Sequence, residues 1–135
     1  MSANDRPSVV IVSHSAEIAA GLAELVGQVA GPDVQVVTAG GAVDGSLGTD
    51  GGKVLALLQA AAADGGAVVL VDLGSSVLSV RAALAELGED ELERISVADA
   101  PLVEGAVAAG VALSTGCSHV DAARAAEEAR NVGKL

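Results

Sequence analysis

Short, continuously apolar runs alternate with longer stretches of helical periodicity along almost the whole chain. Four runs predict buried strands, at Ser8–Val12, Val34–Thr38, Ala67–Val71 and Ile95–Ala98. Strands without a polar alternation are typical of a sheet that is covered on both faces. The segments between them are too long for hairpins and long enough for crossovers. We therefore predict an α/β fold with a mainly parallel, doubly wound sheet and helices on both faces.

The intervening segments carry the three- and four-residue spacing of amphipathic helices. Five helices are predicted, at Ala16–Val29, Lys53–Ala63, Ser76–Leu87, Val103–Ser114 and His119–Asn131. The first helix is expected to bury the apolar face formed by Ile18, Leu22, Leu25, Val26 and Val29. Thr49 or Asp50 is expected to cap the start of the second helix, because both residue types accept hydrogen bonds there.

The core of this fold has to be built from small side chains. The sequence contains no Phe, Tyr or Trp, but 17 Gly, and hydrophobic residues make up 51% of its 135 positions. Val, Leu, Ile and Ala must fill the interior, with close approach of backbones replacing bulk. The length predicts a single domain spanning residues 1–135.

The charge balance limits the partners that the chain can take. Seven basic residues stand against 18 acidic ones, a net charge of −11. Such a surface repels nucleic acid, whose binding needs Lys and Arg against phosphates. It suits a basic protein partner, although solubility alone is an equally simple explanation.

Cysteine usage and hydropathy indicate where the chain resides. Cys117 is the only cysteine, so no internal disulfide forms and a reducing cytoplasm is expected. No apolar run approaches the 18 residues of a membrane span, and no membrane association is predicted. Cys117 and His119 lie two positions apart, but no further His or Cys completes a metal site. We expect a turn between helices there, and no metal ligands in the chain.

The carboxyl ends of two strands carry the residues with the most chemical potential. In a short doubly wound domain the common strand order is 2-1-3-4, which places the first and third strands side by side at the topological switch point. His14 follows the first strand and Asp72 follows the third. Although 58 positions separate them, this topology brings them to one crevice.

These two residues and their neighbours predict a phosphohistidine site. An aspartate that accepts a hydrogen bond from one ring nitrogen leaves the lone pair of the other nitrogen free to attack. Ser15, and then Ser75 and Ser76, stand at the two following helix starts, where backbone N–H groups attract anions. Gly74 allows the backbone to approach a phosphoryl group closely. A histidine at a strand end is more often a plain loop residue, and an aspartate there often a helix cap, so the pair is the stronger signal.

Four segments of the chain resemble the mannose-type EIIA family of the phosphoenolpyruvate-dependent phosphotransferase system. They are Val10–Ser15, Gly48–Asp50, Val71–Ser75 and Ala100–Gly105. The IVSHS and APLVEG blocks together resemble most the branch that serves phosphoenolpyruvate-dependent dihydroxyacetone kinases. The likeness runs from the first strand to the fourth helix and so covers nearly the whole domain.

The resemblance implies a specific reaction. His14 would be phosphorylated by the histidine phosphocarrier protein HPr, with Asp72 orienting its ring and Ser15, Thr49, Gly74 and Ser75 holding the phosphoryl group. The group would pass to ADP on the nucleotide-binding kinase subunit, which also carries the Mg²⁺, so that this chain needs no cofactor of its own. The resemblance further implies a homodimer and a final antiparallel strand, which the pattern would show only if another strand followed Ile95–Ala98.

Two other functions stay open at this point. One is a mannose-type EIIA that serves a sugar transporter or a regulatory phosphocarrier role, with the same histidine chemistry and a different acceptor. The other is a non-catalytic flavodoxin-like or receiver-like binding module. A receiver needs an acidic cluster after the first strand, where this chain has Ser13-His14-Ser15. Some family members carry further domains, so a chain ending at Leu135 fits either a stand-alone subunit or a piece of a longer protein.

Overall fold

Four parallel strands form the central sheet of residues 6–135, the part of the chain that this computed structural model describes. The strands are β1 (Ser8–Ser13), β2 (Val36–Gly40), β3 (Ala67–Val71) and β4 (Ile95–Val97). Their order is β2-β1-β3-β4, and every neighbouring pair is parallel. The predicted strand order and the parallel sheet are confirmed.

Helices cover both faces of this sheet, which confirms the doubly wound architecture. They are α1 (Ala16–Ala30), α2 (Gly51–Ala63), α3 (Gly74–Leu84), α4 (Glu89–Leu92), α5 (Leu102–Ser114) and α6 (His119–Glu128), followed by a 3₁₀ turn at Ala129–Asn131. On one face, α1, α5 and α6 pack on Val9, Ile11, Val68 and Leu70. On the other, α2 and α3 pack on Val10, Val12 and Val69. Successive strand residues point to opposite faces, so β1 and β3 serve both layers.

The last part of the chain differs from the fold that the resemblance implies. Within residues 6–135 no antiparallel strand joins the sheet, because the chain continues from β4 into α5 and α6. α6 packs against α5 and contacts β3 and β4. The two helices that the periodicity predicts after β4 are present within the described residues, and the final strand implied by the resemblance is not.

Several predicted boundaries are wrong by a few residues. β2 begins at Val36 rather than Val34, since its register with β1 runs from Val9↔Val36 to Ser13↔Gly40. α3 covers Gly74–Leu84 rather than Ser76–Leu87, and α4 was not predicted because four residues are too few to show a helical period. Asp50, not Thr49, caps α2, its carboxylate accepting from the Lys53 N–H.

The apolar face of α1 is only partly buried, which corrects another prediction. Leu22 and Val26 are buried with Ala19, but Ile18, Leu25 and Val29 are 40–52% exposed. α1 lies over β1 and β2 and packs against α5. Because β2 is an edge strand, one side of the helix extends past the sheet.

Close approach of backbones replaces side-chain bulk, as the composition predicts. Gly110 of α5 lies against α1, where a Cβ atom would come within 2.7 Å of Val26 Cγ1 and 3.2 Å of Ala30 Cβ. Val26 and Ala30, the two side chains that face Gly110, belong to the helix layer that packs on β1. The distance between α1 and α5 therefore depends on the missing methyl group.

We expect Gly110→Ala to destabilise the protein by about 1–3 kcal/mol, because overpacking forces a tightly packed pair of helices apart. Gly21→Ala is the matched control, since Gly21 lies in α1 with no atom within 4 Å of its added methyl. That variant should gain up to about 1 kcal/mol from helix propensity. Urea unfolding of both variants checks this, and equal effects of the same sign would contradict it.

Candidate functional site

His14 and Asp72 lie at the carboxyl ends of adjacent strands. The register of β1 and β3 ends with Val12 opposite Val71, so the next residues of both strands leave the sheet at the same edge. Each strand is followed within two or three residues by a helix, α1 and α3 respectively. The crevice predicted from the sequence is present, and its walls are two helix N-termini.

The imidazole of His14 is hydrogen-bonded to the Asp72 carboxylate. Nδ1 of His14 lies 2.9 Å from Oδ1 of Asp72, and the His14 backbone N–H donates to Oδ2 at 2.9 Å. The side chains are 21% and 13% exposed. The pair is thus largely screened from water yet reachable from one side.

Three further donors complete the hydrogen bonding of Asp72. Oδ2 accepts from the Ser13 hydroxyl at 2.8 Å, and Oδ1 accepts from the Ser76 hydroxyl at 2.7 Å and from the Leu73 N–H at 2.7 Å. Five donors therefore face a carboxylate that has about four lone-pair sites. No lone pair remains for taking up a proton.

The pKa of Asp72 lies well below its ordinary value. Partial burial is the largest single influence and raises it, but it is outweighed by the combined hydrogen bonds from the His14 N–H, the Ser76 and Ser13 hydroxyls and the His14 ring. Asp72 is consequently ionised throughout the physiological range. Its role is that of a fixed negative charge and acceptor rather than a base.

An ionised carboxylate decides which ring nitrogen of His14 carries the proton. Asp72 can only accept, so Nδ1 must donate and Nε2 holds the lone pair in the neutral ring. Nε2 contacts the hydroxyl of Ser75, which is exposed. The nucleophilic nitrogen therefore points at the first turn of α3, on the open side of the crevice.

The start of α3 offers backbone donors beside Nε2. The helix begins at Gly74, and no side chain caps it. The unpaired N–H groups and the dipole of an uncapped helix start favour an anion. Gly74 and Ser75 therefore lie at a helix start whose backbone could bind an anion.

Ser15 and Thr49 are close to His14, but their hydroxyls are engaged elsewhere. Ser15 caps α1, its hydroxyl accepting from the Ile18 N–H at 3.2 Å. The Thr49 hydroxyl lies 2.7 Å from that of Ser79 in α3. The neighbouring Gly48 N–H donates to the His14 carbonyl at 3.0 Å, so this loop supports the backbone of His14.

The sequence pattern does not show what Ser13 and Ser76 do. The pattern places Ser76 with Ser75 at the start of a helix, but the helix begins two residues earlier and Ser76 is fully buried against Asp72. Ser13 was treated only as part of the motif. The signal is a serine directly before His14 and another four positions after Asp72, but the meaning of the second depends on where α3 begins.

The second histidine lies outside this site. His119 starts α6, and its Nδ1 lies 2.7 Å from the hydroxyl of Ser96 on β4. Cys117 precedes it in the turn between α5 and α6, as predicted. Across residues 6–135, no three His, Cys, Asp or Glu side chains gather as metal ligands would. None of the helices in that range is both long and apolar enough to span a bilayer.

Comparison with known proteins identifies the class to which this fold and site belong. The model of the EIIA-man family, described as the PTS system fructose IIA component, matches residues 8–124. The chain therefore belongs to the mannose-type EIIA family of phosphotransferase-system proteins, and the resemblance noted in its sequence is confirmed.

Several curated relatives are subunits named DhaM. One from Listeria innocua, "PEP-dependent dihydroxyacetone kinase 2, phosphoryl donor subunit DhaM", is 38% identical over 104 residues, covering 77% of this chain and 83% of its own length. One from Lactococcus lactis, "PTS-dependent dihydroxyacetone kinase, phosphotransferase subunit DhaM", is 34% identical over 110 residues and has 85% of its length covered.

Not all relatives have this length. The DhaM subunit of Providencia stuartii is 36% identical over 124 residues, which are 90% of this chain but 26% of that protein. Among solved structures, one titled "Crystal structure of unknown function protein EF1359" has a TM-score of 0.81 and 34% identity, covering 96% of this chain and 97% of its own.

We expect Asp72→Asn to lower the free energy of unfolding at pH 7 by about 1–2 kcal/mol, since donors to a charged acceptor lose strength. The folded-state pKa of Asp72 is depressed, so its contribution is complete above the unfolded value of about 3.9 and declines as the pH falls below it. The gap between wild type and variant should therefore shrink between pH 5 and pH 3 in urea titrations. A gap that widens over this interval would contradict the assignment.

Proposed function

We propose that this chain is a phosphocarrier of a phosphoenolpyruvate-dependent dihydroxyacetone kinase. It takes a phosphoryl group from HPr onto Nε2 of His14 and passes it to ADP bound on the nucleotide-binding kinase subunit. The observation that carries the proposal is the hydrogen bond between His14 Nδ1 and an ionised Asp72, which directs Nε2 towards the uncapped start of α3. The relatives named as phosphoryl donor subunits support this acceptor.

Both steps, loading from the donor and transfer to ADP, are in-line displacements at phosphorus. The Nε2 lone pair attacks, the bond from phosphorus to the donor's imidazole nitrogen breaks, and its electron pair stays on the donor. In the second step a terminal oxygen of ADP attacks, and the electron pair of the P–Nε2 bond returns to His14 as ATP forms. Such transfers depend mainly on positioning and charge stabilisation.

The residues of this chain have separate tasks in that scheme. Asp72 keeps the proton on Nδ1 and offsets the positive charge of the ring while Nε2 is phosphorylated. The backbone around Gly74, with the hydroxyl of Ser75, binds the phosphoryl oxygens, and the loops carrying Ser15 and Thr49 border the same space. Mg²⁺ and nucleotide belong to the acceptor subunit, and the carrier acts in the cytoplasm as a homodimer.

Transfer of the phosphoryl group to a sugar-transport protein is the second candidate. This candidate is supported by the description of the matching family, which is a fructose IIA component of the phosphotransferase system. The chemistry at His14 would be the same, and only the acceptor would differ. The two candidates therefore separate at the second step.

Incubation with phosphoenolpyruvate, enzyme I and HPr should add one acid-labile phosphoryl group, visible by intact mass. His14→Ala should remove the adduct because the attacking nitrogen is lost. His119→Ala is the matched control, since His119 is the other of the two histidines and pairs with Ser96 away from the crevice. An adduct that persists in His14→Ala and disappears in His119→Ala would refute the assignment.

Adding the ADP-loaded kinase subunit to the phosphorylated carrier then identifies the acceptor. Loss of the adduct with formation of ATP supports the dihydroxyacetone kinase. An adduct that survives this subunit but is discharged by a sugar-transport EIIB protein would support the second candidate.

Partner docking should depend on the apolar rim of the crevice. Leu73 adjoins Asp72 and is 65% exposed, and Leu78 of α3 is exposed to the same extent. Burial of a leucine contributes about 1.5–3 kcal/mol, so Leu73→Ser should slow loading by HPr roughly tenfold or more. Leu78→Ser should not, because Leu78 lies two positions from the buried Ser76 and so on the opposite side of the helix.

The small donor phosphoramidate needs no docking surface, and it should load both leucine variants at the wild-type rate. Equal loading rates of the two variants with HPr would place the docking surface elsewhere. Slower loading of Leu73→Ser by phosphoramidate as well would mean that the substitution damages the site itself.

A further inference from the structure

Two fully buried serines face the same carboxylate. Within residues 6–135 the buried polar side chains are those of Ser8, Ser13 and Ser76. Burying a hydroxyl is costly unless it forms hydrogen bonds. Ser13 and Ser76 come from β1 and α3, and both hydroxyls donate to Asp72. Polar groups brought together in this way, inside an otherwise aliphatic core, indicate a task at the site.

The two hydroxyls hold different oxygens of that carboxylate. Ser13 donates to Oδ2 at 2.8 Å, and Ser76 donates to Oδ1 at 2.7 Å. Each oxygen also accepts from a backbone N–H, Oδ2 from His14 and Oδ1 from Leu73. The serine hydroxyls add a second anchor to each oxygen, from β1 and from α3, and so restrict the rotation of the carboxylate about its Cβ–Cγ bond further. The Ser13 oxygen also accepts from the Ser15 N–H at 3.1 Å, so its own proton remains directed at Asp72.

Ser76 in addition faces the histidine ring. Its oxygen lies 3.1 Å from His14 Nδ1, and its only proton is given to Asp72. A lone pair of Ser76 is therefore turned towards Nδ1, beside the Oδ1 acceptor at 2.9 Å. Two acceptors facing one nitrogen are compatible only with a proton on that nitrogen.

We propose that Ser76 and Ser13 are positioning residues for His14, which they hold through Asp72 in the tautomer that leaves Nε2 nucleophilic. The proposal rests on the phosphocarrier function, to which it adds a specific requirement for two buried hydroxyls. Neither serine is expected to touch the phosphoryl group. Both act before transfer, by restricting the rotation of the carboxylate and by keeping the ring proton on Nδ1.

The test compares Ser13→Ala and Ser76→Ala with Ser8→Ala. Ser8 is a matched control because it is a buried serine of the same strand, at the opposite end from the site, with a side-chain hydrogen bond to Gln35. Loading by phosphoramidate measures reactivity without a partner. We expect each site variant to load about tenfold more slowly and Ser8→Ala to stay within twofold of wild type.

A second measurement reads the ring directly. In ¹⁵N NMR of the imidazole at a pH where the ring is neutral, wild type should have a protonated Nδ1 and an unprotonated Nε2. In Ser13→Ala and Ser76→Ala the two ring signals should move towards each other as the other tautomer becomes populated. Ser76→Cys, which nearly keeps the volume and offers a weaker donor, should resemble Ser76→Ala if the hydrogen bond rather than packing matters.

The possible results separate this inference from the proposed function. Wild-type loading rates and unchanged ring signals in both alanine variants would overturn it. A wild type that accepts no phosphoryl group would refute the function, but the ring signals would still decide whether the serines set the tautomer. Ser76→Cys with wild-type rates and signals would make packing the cause and would also overturn the inference.

Discussion

The hydrogen bond between His14 and Asp72 depends on how β1 and β3 are paired. It requires the two strands to be adjacent, parallel and in the register that ends with Val12 opposite Val71. A slip of one residue would turn each side chain to the opposite face and separate the pair. Strands in this relation cannot be joined by a hairpin, so the crossovers through α1, β2 and α2 are a precondition of the site. His14 and Asp72 are 58 positions apart in the sequence because the chain must cross over before it forms the adjacent parallel strand.

The packing of small residues keeps this arrangement stiff. Gly40 is the last residue of β2, is paired with Ser13 and lies against the first turn of α1. A Cβ atom on Gly40 would come within 2.8 Å of the Ser15 carbonyl oxygen and of the Ala16 Cα. The first turn of α1 is thereby seated directly on the sheet beside His14. The absence of a side chain at Gly110 likewise lets α5 approach α1 closely. In a chain without aromatic residues, such contacts supply the packing density that large side chains provide elsewhere.

A site of this kind concentrates polar groups in a small volume. Asp72 receives five donors, from the end of β1, from His14 after it, from its own loop and from α3. The hydrogen bonds from His14, Ser13 and Ser76 together outweigh the effect of burial on its pKa. The carboxylate is therefore a permanent charge. In the proposed function, the histidine is the group that changes state by taking up and releasing the phosphoryl group.

The sequence by itself determined the four strands, their parallel order and the edge at which His14 and Asp72 meet. The strands can be predicted because strand-forming runs depend on local composition. Their order and the switch point can be predicted because right-handed crossovers are common to all folds of this class. It did not determine the first residue of α3, because Ser75 is a residue type that commonly caps a helix and so favours a start at Ser76. In the structure Leu73 precedes the helix, and no side chain caps it. That start decides whether Ser76 faces solvent or the carboxylate. The partial exposure of Ile18, Leu25 and Val29 was likewise decided in three dimensions, since it depends on β2 being the edge strand beneath α1. Periodicity reports which side chains share a face of a helix, but only the packed structure decides how much of that face has a neighbour.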